Sequence, residues 1–301
     1  MSRHALAVGL AAALASGGIA GIPMQALADA IKDTEAGVAA LRSGDVDEAV
    51  RLFTLAIDSE ELSRKNLAVA LTNRGYAFLS VQDYRNAVED FSDAILLDPD
   101  NAQVHFNRGR LFADARVWDR ADADFQMAIR LDPDFVDAYV ERGNIWIQKG
   151  NFRWAIDQFD AALARDPARA DARLGRGIAH RATGDEPAAA TDVDEAIRLD
   201  PAYAEAYFVR ANGALSLGDL EAAIVDYDRA LDLNPQLVGA LSNRSATLAR
   251  LGRYEEAALG YTEVLTLKPD DMAVLSARGT ALLFAERHGE AAEDFAQVVK
   301  A

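Results

Sequence analysis

Prolines at Pro99, Pro133, Pro167, Pro201, Pro235 and Pro269 recur every 34 residues, and only Pro23 and Pro187 lie off that lattice. Proline disfavours helical geometry in the residue before it, so the period marks six equally spaced helix stops. With Ala68 as position 1 of a unit, position 20 is Ala87, Ala121, Ala155, Ala189, Ala223, Ala257 and Ala291. Position 24 is Phe91, Phe125, Phe159, Val193, Tyr227, Tyr261 and Phe295. Position 8 is Gly75, Gly109, Gly143, Gly177, Ala211, Ser245 and Gly279. Each unit splits into two amphipathic helix patterns, as in Leu71, Gly75 and Phe78 and then Ala87, Phe91, Ala94 and Ile95. Small residues at 8 and 20 let the two helices approach closely, and the ring at 24 fills the space beside them. Gly150, Gly184, Gly218 and Gly252 stand between the halves, where a tight turn calls for a left-handed residue. One pair cannot bury both of its apolar faces, so the copies must stack.

A 34-residue period with these small residues, ring and proline resembles the tetratricopeptide repeat. The resemblance implies an all-α fold, a right-handed α-solenoid of about eight helix-turn-helix units. A divergent first unit and its connection occupy 29–67, with Gly37, Ala49 and Phe53 at positions 8, 20 and 24. Six regular units fill 68–271, and a last one without a capping helix fills 272–301. In the fifth unit Pro187 falls in the first turn of a helix, where proline is tolerated.

The first 28 residues read as a secretory signal peptide. Arg3 gives a positive start, Ala5 to Ile22 is apolar without a charge, and Ala26-Leu27-Ala28 offers a cleavage pattern before Asp29. An uncleaved anchor of about 18 residues is the competing reading. Cleavage implies an exported protein of the bacterial periplasm, and the lack of cysteine is compatible with an oxidising compartment.

A net charge of −17, with only five lysines, argues against nucleic acid and anionic lipid as partners. Nor do the motifs of catalysis appear: there is no HExxH, no phosphate loop and no nucleophile elbow. The histidines fall at non-equivalent positions, so no metal site, cofactor or enzyme activity is expected. Asp-Pro-Asp at 98–100 and 132–134 sits at the helix stops and lacks the ligand spacing of a calcium loop.

Position 7 is arginine throughout: Arg74, Arg108, Arg142, Arg176, Arg210, Arg244 and Arg278. Position 23 is Asp90, Asp124, Asp192, Asp226 and Asp294 in five units, which predicts a repeated internal ion pair. Arg244 faces Gly260 instead and is expected to be less sensitive to substitution or to use another acid.

The resemblance also implies a concave groove, lined by the first helices, that binds a protein or peptide. Candidate groove residues are Asn73, Tyr76, Phe106, Asn107, Arg110, Asp114, Asp137, Glu141, Asn144 and Ile147. The rings would anchor apolar groups, the asparagines would hold an extended backbone, and the acids favour partners with basic segments. The chain lacks the lysines at positions 2 and 5 with which chaperone-binding relatives clamp a carboxylate. The expected function is a non-enzymatic adaptor or scaffold. The alternative is self-assembly through a C-terminal edge bearing Ala292, Val298 and Val299.

Overall fold

The computed structural model describes residues 24–300, and every regular element among them is a helix. Contacts divide them into two compact bodies, one ending at Ile145 and the other beginning at Trp146. The first holds α1 (Met24–Ser43), α2 (Val46–Asp58), α3 (Arg64–Ser80), α4 (Tyr84–Leu97), α5 (Ala102–Asp114), α6 (Trp118–Leu131) and most of α7 (Val136–Gln148). The second continues with α8 (Phe152–Arg165), α9 (Ala170–Ala182), α10 (Glu186–Leu199), α11 (Ala204–Ser216) and α12 (Leu220–Leu233). It ends with α13 (Val238–Arg250), α14 (Tyr254–Leu267), α15 (Met272–Phe284) and α16 (His288–Lys300). Odd-numbered helices are the first of each pair, and successive helices pack on one another from α1 to α6 in the first body and from α8 to α16 in the second.

The export signal lies, up to Pro23, outside the described residues. Helix α1 starts at Met24 and runs unbroken through the expected cleavage point at Ala28 and Asp29. No described helix is long and apolar enough to cross a membrane.

The turn inside each pair is built one way. Gly44, Gly150, Gly184, Gly218 and Gly252 have φ between 73° and 86°. Gln82, Arg116 and Glu286 adopt the same left-handed geometry at φ 62°, 57° and 61°. The next residue turns its N–H back to the carbonyl five residues earlier, as in Asp185 to His180 and Asp219 to Ala214, both at 2.9 Å. That closes the first helix in a Schellman motif. The side chains of Asp45, Asp83, Asp185 and Asp219 then accept the N–H of the third residue of the next helix. One residue thus ends one helix and begins another. A left-handed backbone costs a residue with a side chain roughly 1 kcal/mol or more, so Arg116→Gly should stabilise the chain by up to about 1 kcal/mol. A thermal-unfolding midpoint that fails to rise would refute this.

The turn between pairs follows from the proline lattice. Asp98, Asp132, Asp166, Asp200, Asn234 and Lys268 close their helices with φ between −130° and −138°, outside helical geometry. Asp132, Asp166, Asp200 and Asn234 also accept the N–H two residues on, bridging the proline at 2.9–3.2 Å. These side chains make Asx turns. The residues that break the lattice between 59 and 66 lengthen the following helix: Ser63 caps α3, and Arg64 donates to the carbonyls of Leu96 and Leu97 at the end of α4.

The core runs along the seam between paired helices. Phe53, Phe91, Phe125, Phe159, Val193 and Tyr227 at position 24 are all 0 % exposed. A Cβ added at Gly37, Gly75, Gly109 or Gly279 would lie 2.7–2.9 Å from the ring it faces. Those four positions accept no side chain without moving the aromatic.

Candidate functional site

The arginines of position 7 lie between the helices of a pair. Arg74 donates Nε and Nη2 to Asp90 at 2.9 and 2.8 Å, and Arg108 donates both to Asp124 at 2.8 Å. Arg176 grips Asp192, Arg210 Asp226 and Arg278 Asp294 in the same two-pronged way. The third nitrogen, Nη1, reaches back to position 25 of the preceding unit: Thr54, Ser92, Asp160, Asp194 and Thr262 in turn. Each of these five arginines therefore ties its own pair together and fastens that pair to the one before. This second tie was not anticipated from the sequence.

Arg244 shows the rule under stress. Ser245 occupies position 8, is fully buried and donates to the carbonyl of Leu241 at 2.7 Å. A Cβ at Gly260 would lie 2.3 Å from the Ser245 hydroxyl. Serine at position 8 leaves no room for aspartate at position 23, and Arg244 turns to Asp228 at position 25 instead.

Asp124 has a third donor. His105 Nδ1 lies 3.2 Å from its Oδ1, and His105 Nε2 lies 3.1 Å from the Pro99 carbonyl. Burial pushes the Asp124 carboxyl up, but the hydrogen bonds from Arg108 and His105 outweigh it and hold the group below the ordinary aspartate value.

On the first-helix face of the first body, the expected groove residues separate into two sets. Asn73, Tyr76, Phe106 and Asn107 are between 6 % and 8 % exposed. Asn73 donates to the Val69 carbonyl one turn back. The Asn107 amide donates to the Tyr76 hydroxyl and accepts from Gln103 at 3.0 Å. Phe106 packs against Phe125 and Phe135 with centroids 5.6 and 4.8 Å apart. The expectation that these four present anchors and amides to a ligand is therefore corrected: they are interior groups with internal partners.

The charged set faces outward. Asp114, Asp137 and Asn144 are exposed, while Arg110 and Glu141 are half-buried. Burial raises the Glu141 carboxyl above its usual value; Arg110 opposes this and Asp114 and Asp137 add to it. Asn144 donates to Glu141 at 3.5 Å, a long contact. Ile147 belongs to the second body and is half-buried. Of the apolar edge, Val298 packs on the core, whereas Ala292 is exposed and Val299 is 86 % exposed.

Comparison places this architecture. A structure of a tetratricopeptide repeat protein from Parabacteroides merdae ATCC 43184 is similar at a TM-score of 0.70 and 20 % identity, covering 86 % of this chain and 99 % of that one. PilW, described as a widely conserved type IV pilus biogenesis factor, is similar at 0.63 and 21 %, covering 72 % and 98 %. YrrB, described as a TPR protein with an unusual peptide-binding site, is similar at 0.50 and 21 %, covering 63 % and 95 %. No curated protein matches the chain. Models of the tetratricopeptide repeat match residues 72–134, 140–204 and 243–301, and a further one matches 204–237. With most of its length matched in this way, the chain belongs to the tetratricopeptide repeat family.

Proposed function

We propose that this chain is a non-enzymatic adaptor that binds an extended, basic segment of a partner protein on the first-helix face of α5 and α7, in the bacterial periplasm after export. The observation that carries the reading is the charged set of that face. Glu141 is a half-buried carboxylate with one long hydrogen bond, and Asp114 and Asp137 beside it raise its affinity for positive charge. A lysine or arginine side chain would supply the missing donors. The peptide-binding site named for YrrB and the repeat's general use in protein interaction support a peptide as the partner.

The test uses a labelled peptide of alternating lysine and alanine, with a glutamate–alanine peptide as control. The lysine peptide should bind, weaken as salt rises, and lose at least about tenfold in affinity to a chain carrying Asp114→Asn, Asp137→Asn and Glu141→Gln. These substitutions leave the core untouched. Equal binding by the folded triple variant would remove the face from the reading. Self-assembly, the second reading, draws on the exposure of Val299. A concentration-dependent dimer abolished by Val299→Asp would favour it.

A further inference from the structure

We propose that His105 is a proton-operated latch, which when doubly protonated ties the start of α5 to both the turn before it and α6 after it. The argument comes from the equivalent residues of other units. Position 4 holds Tyr139 and Tyr207, whose hydroxyls donate to the carbonyls of Pro133 and Pro201 six residues back, at 3.3 and 3.4 Å. It also holds Arg173, whose Nη1 donates to the position 23 carboxylate of Asp192 at 3.3 Å. Two acceptors thus face position 4, and other units satisfy one or the other with a dedicated donor. His105 meets both at once, Asp124 through Nδ1 and the Pro99 carbonyl through Nε2.

A backbone carbonyl cannot donate, and neither can an ionised carboxylate. A neutral imidazole has one N–H and makes one of these bonds; the imidazolium has two and makes both. Three groups face the ring. Asp124 from α6 and the Pro99 carbonyl, between Asp98 and Asp100 in the α4–α5 turn, are acceptors for its two nitrogens. Arg108, one turn along α5, is bonded to the same Asp124 and to Ser92 of α4. The side chains of His105 and Asp124 are each 7 % exposed, so water cannot replace the lost bond at little cost. Helix α5 also carries Arg110 and Asp114, so release of the latch loosens the helix that presents them. The latch itself does not depend on what that face binds.

The test is a nitrogen-detected titration of the full chain. Both His105 ring nitrogens should carry protons at the acid end of the titration, and one should be lost at the alkaline end. The amides of Asp100 and Asp124 should shift with the same midpoint. Leucine occupies position 4 at Leu71, so His105→Leu fits the fold. At the acid end the wild type should melt about 2–4 °C above this variant, which can make neither bond. A ring with a single proton at the acid end, or amides of Asp100 and Asp124 that do not move with the ring, would overturn the proposal. The ring titration decides the matter if the variant does not fold.

Discussion

Asp124→Ala should destabilise the chain by about 2–4 kcal/mol, read from thermal or denaturant unfolding. The substitution removes one acceptor and strands three donors, Nε and Nη2 of Arg108 and Nδ1 of His105, in a site that is nearly dry. Asp228→Ala should cost less than about 1 kcal/mol, because its pairing with Arg244 is half-exposed and screened by water. The pH dependence has a defined sign. The Asp124 carboxyl is held below its ordinary value of 3.8, so its contribution is complete above that value and is lost as the pH falls through the lowered one. In a double-mutant cycle, Arg108→Ala and Asp124→Ala should be strongly non-additive. Additive losses would show that the bond carries no energy of its own.

Gly260→Asp should destabilise by about 1–3 kcal/mol although it restores the residue found at position 23 in five other units. Its Cβ would collide with the buried Ser245 hydroxyl. Adding Ser245→Gly should recover most of the loss. Glycine at position 8 coexists with aspartate at 23 in the units of Gly75, Gly109, Gly177 and Gly279, and Arg244 would then meet a carboxylate within its own pair. Melting temperatures of the two single variants and the double variant decide this. A double variant no more stable than Gly260→Asp would mean that Ser245 is not the obstacle.

The helix pairs were legible because two short-range signals agree. The proline lattice marks where second helices stop, and the small residues at 8 and 20 mark where paired helices touch. The arginine–aspartate pairs were legible for a related reason: an arginine repeats at position 7 in all seven units and an aspartate at position 23 in five of them. The tie to position 25 was not, because that position holds Thr54, Ser92, Asp160, Asp194, Asp228 and Thr262, which share acceptor ability but no residue type. The face of α5 and α7 was legible only in part. Helical phase assigns Asn107 and Asp114 to the same side, yet Asn107 turns into the Tyr76 hydroxyl while Asp114 remains in water. Phase gives the direction of a Cβ, and the depth of the neighbouring layer decides what the rest of the side chain meets.

The backward reach of the arginines gives the array a syntax. By period alone the units are interchangeable, since each ends at the same proline and turns on the same backbone. Yet each arginine is addressed to a particular predecessor. The unit containing Gly260 has no carboxylate of its own for Arg244 and borrows Asp228 from the unit before it. Behind residues 102–135, whose position 25 is Gln126, Arg142 reaches Asp122 instead, so that seam is read at an address of its own. The order of the repeats is thus inscribed in the seams between them.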